Sequence, residues 1–138
     1  MRLAIAVMTG LLALGACGKA GEAKSASQPI SESMAECAAI FNVTALTAER
    51  KGKSAQQVSA MREGAGAFRE AAVKRAGVEG ASRPEADVRK TYAEKYAKWE
   101  ARWLGSSDAA FILDARENLD WVQYCGKMGK AHGVLPVR

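Results

Sequence analysis

The chain has 138 residues, of which 49% are hydrophobic and 25% charged, and its formal net charge is +5 at pH 7. This length suits one domain of ordinary size and excludes a large multidomain architecture. A basic balance would favour nucleic acid as a partner in a cytosolic protein, but the N-terminus indicates export, and exported chains rarely meet nucleic acid. We therefore expect no nucleic-acid binding. The charge suits a solvated surface, an anionic membrane surface or acidic cell-wall polymers.

Residues 1–16 have the pattern of a secretion signal. Arg2 supplies the positive charge, and the apolar run Leu3–Leu14 carries none. The run is too short to cross a hydrocarbon core of about 30 Å as a helix, so we expect a cleaved segment rather than a membrane anchor. The tetrapeptide Leu14-Gly15-Ala16-Cys17 follows. It resembles the lipobox of bacterial lipoproteins in all four positions.

This resemblance implies that Cys17 becomes the first residue of the mature protein, with diacylglycerol on its sulfur and a third acyl chain on its amine. An ordinary signal peptide is the alternative, but such a signal prefers a small residue three positions before the cut, where this chain has Leu14. Two or three acyl chains hold a protein stably on a bilayer. Because Gly18, and not Asp, follows Cys17, the same resemblance implies the periplasmic face of the outer membrane. The outer face of the inner membrane is the alternative.

Residues 17–30 are predicted to form a lipidated, flexible tether. The segment from Gly18 lacks aromatic residues and shows no apolar periodicity before Ile30. A flexible chain of this length spans roughly 20 Å, enough to hold a small domain just off the lipid headgroups. Residues 31–138 are then predicted to form a helical domain with an irregular C-terminal tail.

Four helices are predicted in this domain, three of them from capping boxes in which Ser precedes Glu or Gln by three residues. The pairs are Ser33 with Glu36, Ser54 with Gln57, and Ser82 with Glu85. Gly52, Gly77 and Gly105 are the predicted helix ends, since helices favour glycine there. The fourth helix is predicted from Ser107 or Asp108 to about Lys127, because Gly126 and Gly129 loosen the chain and Pro136 stops it.

Each predicted helix carries one apolar stripe, which favours an all-α fold, an antiparallel four-helix bundle. The stripes are Met34, Cys37, Ala38, Ile40, Phe41 and Ala45; Val58, Met61, Ala65, Phe68 and Ala72; Val88, Tyr92, Tyr96, Trp99 and Trp103; and Ile112, Ala115, Leu119, Val122 and Cys125. Gly64 and Gly66 either allow close backbone approach or mark a kink in the second helix. The sequence leaves these two alternatives open.

Two cysteines remain in the mature domain besides the lipidated residue. Cys37 lies near the start of the first helix and Cys125 near the end of the fourth. These two ends share one pole of an antiparallel four-helix bundle, and exported proteins form disulfides in oxidising compartments. We therefore predict a disulfide between Cys37 and Cys125.

Catalytic chemistry is poorly supported by the sequence, and we assign no catalytic residue, metal ligand or cofactor. The single histidine, His132, follows Gly129 in the predicted tail. The acidic residues of the fourth helix, including Glu117 and Asp120, are spaced as on a solvated helix face. Haem held by Met34 and His132 is possible in principle, but a core methionine and a tail histidine are the simpler interpretation.

The C-terminal helices hold all six tryptophan and tyrosine rings of the chain, more than the core requires if alanine-rich stripes face them. Packing of these rings in the core against the small residues is the first interpretation. Trp121 and Tyr124 lie off the Leu119 and Val122 stripe, and the alternative is that they line an exposed surface for a protein, glycan or lipid partner. The sequence leaves the oligomeric state open. It favours a lipid-anchored envelope protein acting as a non-catalytic binding or adaptor module. The alternative is a small periplasmic enzyme or haem-binding bundle.

Overall fold

A computed structural model describes residues 28–104 and 108–136; for residues 108–115 it describes the backbone alone. Four helices are packed together, and these residues contain no strand. The helices are α1 (Ile30–Arg50), α2 (Ala55–Val78), α3 (Pro84–Leu104) and α4 (Asp108–Ala131). The predicted all-α class is confirmed. The predicted signal peptide, the lipobox and the tether as far as residue 27 lie outside the described residues.

Helix α1 is the central element and contacts each of the other three helices. At one end, Ser31 donates a hydrogen bond to Glu79 at the close of α2. At the other end, Glu49 pairs with Arg62 at 2.7 Å, so α1 and α2 run antiparallel. We call the end of the bundle where α1 begins and α2 and α4 end the N-terminal pole.

The core consists of the predicted stripes of α1, α2 and α3, whose members are all buried or half-buried. Because α1 is central, residues outside its predicted stripe are buried as well. These additional buried residues are Ser31, Ala35, Glu36, Ala39, Val43 and Thr47. Small alanines of α1 and large rings of α3 belong to one buried cluster, in which residues of different size fill the core together.

Leu119 departs from the predicted α4 stripe, since it is 56% exposed. The rotation of α4 about its axis is set by two contacts with α1, the Cys37–Cys125 disulfide and a hydrogen bond from Thr44 to Asn118. These contacts turn Cys125 and Val122 inward and leave Leu119 on the outer face.

The predicted disulfide between Cys37 and Cys125 is present. The two Cα atoms lie 5.5 Å apart, and both residues are almost fully buried. The bond joins residues separated by 88 positions. Closing a loop of that length stabilises the folded state by roughly 4 to 5 kcal/mol in the chain-entropy account.

Of the three predicted capping boxes, the one at Ser54 is confirmed in its N-cap hydrogen bond, and the other two are wrong. The Ser54 hydroxyl accepts a hydrogen bond from the backbone N–H of Gln57. The Ser33 box fails because α1 already begins at Ile30, and the N–H of Ser33 bonds to the carbonyl of Pro29 inside the first turn. Tertiary contacts explain the earlier start, since Ile30 packs against the core and Ser31 bonds to Glu79.

The Ser82 box also fails, because α3 starts at Pro84 and its first backbone bond runs from Asp87 to Arg83. Proline is favoured at the first helical position, where its missing N–H costs nothing.

The observed end of α1 agrees with the end predicted at Gly52, whereas α2 and α4 end later than predicted. Gly52 has φ +67° after α1, as expected for a helix-ending glycine. Gly77 lies inside α2, and Gly80, with φ +90°, ends that helix. Helix α4 continues past Gly126 and Gly129 to Ala131, and Gly133 ends it. Gly105 lies outside the described residues.

The structure assigns close approach to Gly64 and not to Gly66. A Cβ added to Gly64 would lie 2.9 Å from ring atoms of Phe41, whereas one added to Gly66 would meet nothing within 4 Å. The Phe41 ring is itself held against Phe68, with the ring centroids 5.5 Å apart. Gly64 is therefore required for the packing of α1 on α2, and Gly66 is not.

Alanine substitutions at these two glycines should have opposite effects. Gly66→Ala should raise the free energy of unfolding by about 1 kcal/mol, because alanine is the better helix former. Gly64→Ala should lower it by about 1 kcal/mol net, because overpacking costs about 1–3 kcal/mol against the same gain. Urea unfolding measures both changes. Equal stabilisation by both alanines would show that Phe41 moves aside without cost.

Candidate functional site

A groove of about 370 Å³ lies between the first turns of α1 and the second half of α4. We call it the Trp121–Tyr124 groove. Its described lining residues are Gln28, Ser33, Glu36, Cys37, Glu117, Asp120, Trp121 and Tyr124. The two aromatic residues nominated from the sequence therefore line one cleft, and the disulfide that joins α1 to α4 holds its two walls together.

The two aromatic side chains have different environments. Trp121 is half-buried and packs edge-on against the fully buried Trp99, with centroids 5.1 Å apart. Tyr124 is 41% exposed, and its ring stands at 83° to that of Trp121 with a centroid separation of 5.6 Å. Trp121 therefore supports the groove from the core side, and Tyr124 offers a free ring face to a partner.

A second depression, of about 450 Å³, adjoins the groove on the other side of Tyr124. The two share Gln28, Ser33 and Tyr124. The second depression adds the residues Ile30, Lys127, Met128, Ala131 and His132. Together they form one elongated surface at the N-terminal pole. A larger depression, of about 650 Å³, lies where α1, α2 and α3 meet, but no described aromatic residue lines it.

Glu36 is the most deeply buried ionisable group of the groove, with only 6% of its surface exposed. The indole N–H of Trp99 donates to its Oε1 atom at 3.0 Å. Lys98 Nζ lies 3.3 Å from the same oxygen, and Lys95 Nζ lies 3.1 Å from Oε2. All three donors come from α3, so the carboxylate joins α1 to α3 beneath the groove.

Burial by itself would raise the pKa of Glu36, but the net pKa lies below its ordinary value of 4.5. Lys95 is the main opposing cause, through its charge and its hydrogen bond, followed by the charge of Lys98 and the hydrogen bond from Trp99. A buried carboxylate with these partners stays ionised at neutral pH.

The two other carboxylates of the groove lie on α4. Glu117 pairs with Arg102 of α3 at 2.7 Å. Asp120 is exposed and makes no ion pair within the described part of the chain. This side chain can therefore pair with a positively charged group that enters the groove.

The remaining residues considered from the sequence are dispersed. Met34 is 3% exposed in the core, whereas His132 is exposed immediately after α4, at the second depression. Within the described residues no group of three or more His, Cys, Asp or Glu side chains could hold a metal ion. None of the helices described has both the length and the hydropathy needed to cross a membrane.

Sequence reasoning missed the role of Glu36. Its spacing from Ser33 led to its interpretation as part of a capping box. A signal was available, since Lys95, Lys98 and Trp99 share one face of α3 at helical spacing, and such a face can surround a carboxylate. Only the packing of α1 on α3 brings that carboxylate to it.

Comparison with known proteins returns no relative: no protein-family model, no curated protein and no solved structure matches the chain. Function is therefore inferred from the chemistry of the residues themselves.

Replacing Glu36 by Gln should destabilise the protein in a pH-dependent way. Because the folded-state pKa is lowered, the ionised carboxylate adds stability above its unfolded-state pKa and loses it as the pH falls through the folded-state pKa. We expect Glu36→Gln to cost about 1–3 kcal/mol at pH 7. The difference from wild type should shrink towards pH 3, as measured by urea unfolding at each pH.

Glu94→Gln is the matched control, since Glu94 is an exposed residue of α3 and the substitution removes the same charge. Its effect on stability should stay within about 0.5 kcal/mol at both pH values. A destabilisation by Glu36→Gln that is equally large at pH 3 and pH 7 would contradict an electrostatic role.

Proposed function

We propose that the chain is a lipid-anchored cell-envelope protein whose helical domain is a non-catalytic binding or adaptor module. In this proposal Cys17 carries the acyl chains, and the Trp121–Tyr124 groove contacts the partner. The tether predicted for residues 17–30 ends before Ile30, because that residue belongs to α1. The observation that carries the binding role is the groove itself, in which a half-exposed tyrosine stands at right angles to a supported tryptophan. Aromatic side chains of this kind anchor many partner contacts.

Two observations support the envelope location. The tetrapeptide ending at Cys17 follows an uncharged apolar run, as in bacterial lipoproteins. The Cys37–Cys125 disulfide is a bond that exported domains form and keep, whereas cytosolic thiols stay reduced. The periplasmic face of the outer membrane is the proposed address, because Gly18 follows the lipidated residue.

Replacing Cys17 by Ser should release the protein from the membrane fraction and abolish its labelling by a fatty-acid analogue. The reason is that stable anchoring needs two or more acyl chains, and the serine hydroxyl cannot take the thioether-linked diacylglycerol. Fractionation and labelling of cells that express each form measure the effect. Labelling that persists in Cys17→Ser would show that the lipid is attached elsewhere or that the segment is an ordinary signal.

The ion pairing of two groove carboxylates, and the lowered pKa of one of them, favour a binding role over catalysis. Glu36 and Glu117 are both held in ion pairs with cations of α3. A general acid or base needs a pKa near the working pH, and the pKa of Glu36 is shifted in the opposite direction. These carboxylates are suited to fixing the groove's shape and charge.

Tyr124→Ala should abolish a specific crosslink to a partner while leaving the fold intact. A photoreactive residue at position Lys127, which is exposed beside Tyr124, supplies the crosslink in intact cells. Leu119→Ala is the matched control, because it removes a similarly exposed apolar side chain of α4 outside the groove. Both variants should keep the melting temperature within a few degrees. Loss of the crosslink in Leu119→Ala as well would disprove a contact specific to the groove.

A further inference from the structure

We propose that the Trp121–Tyr124 groove binds a basic peptide segment, with a lysine or arginine side chain seated against Asp120 and the aromatic pair. The inference rests on the proposed binding function and names the chemistry of the partner. It commits to a peptide, because a groove lined by carboxylates adjoins a depression that has apolar residues, Ile30 and Met128, besides the basic Lys127 and His132.

The charges that line the groove favour a basic partner. The whole chain has a net charge of +5, with 20 Lys and Arg residues, yet the described lining of this groove includes three carboxylates and neither lysine nor arginine. The cations that neutralise Glu36 and Glu117 belong to α3 and lie outside the lining. Asp120 is the exposed carboxylate of the lining, and it has no ion-pair partner within the described part of the chain. Complementary charge of this kind selects a positively charged partner.

The aromatic pair also favours a basic partner. Lys and Arg side chains are attracted to the faces of Trp and Tyr rings. This molecule already uses the interaction internally, since Lys98 Nζ lies 4.5 Å from the centroid of the Trp99 ring and the Arg69 guanidinium lies 4.8 Å from that of Tyr92. Tyr124 is exposed, and Asp120, one helical turn earlier on α4, lines the same groove.

The dimensions of the groove and of the adjoining depression favour a peptide over a single amine. The groove and the adjoining depression measure about 370 and 450 Å³ and meet at Tyr124. Apolar side chains line part of the second depression, among them Ile30 and Met128. A basic side chain in the groove followed by an apolar one in the depression would occupy both, whereas an ammonium headgroup would occupy only the first.

The test uses the mature lipidated protein in nonionic detergent and two fluorescent pentapeptides with blocked ends. One peptide alternates lysine and leucine, and the other replaces every lysine by glutamate. Fluorescence anisotropy should show binding of the lysine peptide that weakens as salt is raised, because the contact is partly exposed and therefore screened. The glutamate peptide should bind at least tenfold more weakly, the ratio that 1.4 kcal/mol gives.

Two variants connect this binding to the groove. Asp120→Asn should weaken binding of the lysine peptide about fivefold, the effect of losing one partly exposed charge pair. Tyr124→Ala should weaken it about threefold to tenfold, since the cation loses its ring face. Glu94→Gln, which removes one carboxylate from the outer face of α3, should leave the affinity within twofold.

Equal binding of the two peptides, or no binding of either, would overturn the basic-peptide assignment. So would displacement of the lysine peptide by short-chain phosphatidylethanolamine at a lower concentration than by unlabelled peptide, because the groove would then prefer a lipid headgroup. These results leave the proposed binding module intact if the photo-crosslink at position Lys127 still depends on Tyr124. Loss of that dependence removes the binding module itself.

Discussion

The position of α4 depends on the covalent bond between Cys37 and Cys125. Among the described residues α4 packs mainly on α1, and its outer face carries Leu119, an exposed apolar side chain. The disulfide fixes the distance between the two helices, and together with the contact of Thr44 with Asn118 it fixes the rotation of α4. That rotation places Trp121 against Trp99 and leaves Tyr124 beside the start of α1. The groove exists because these two helices are held at this distance.

The other wall of the groove depends on a buried ion cluster. Taking Glu36 out of water is costly, and the cost is offset only because Lys95, Lys98 and the indole of Trp99 converge on its two oxygens. A hydrophobic side chain of similar volume could fill the same space. The carboxylate differs from such a side chain because its hydrogen bonds and ion pairs require donors at particular positions. Only one register of α3 places Lys95, Lys98 and Trp99 at those positions, so Glu36 specifies how α3 packs on α1.

The class of fold and the interior of the domain could be predicted from the sequence. Apolar residues spaced three and four apart have few alternatives to an amphipathic helix, and the stripes of the first three helices are buried as their spacing indicates. The disulfide could be predicted because two cysteines remain in the mature domain and the antiparallel order of the helices brings them to the same pole. The lipid anchor at Cys17 and the partner surface remain sequence predictions that the experiments above address.

Local signals determined less where tertiary contacts compete with them. Ser33 has the sequence of a helix cap, yet the burial of Ile30 and the bond from Ser31 to Glu79 extend α1 past it, because such contacts outweigh the roughly 1 kcal/mol of a cap. The sequence by itself determined the helices, their apolar faces and the cysteine pair, since these depend on periodicity and count. Only the tertiary structure decided the rotation of α4, the burial of Glu36 and the approach of Gly64 to Phe41, because each depends on which faces meet across distant segments of the chain.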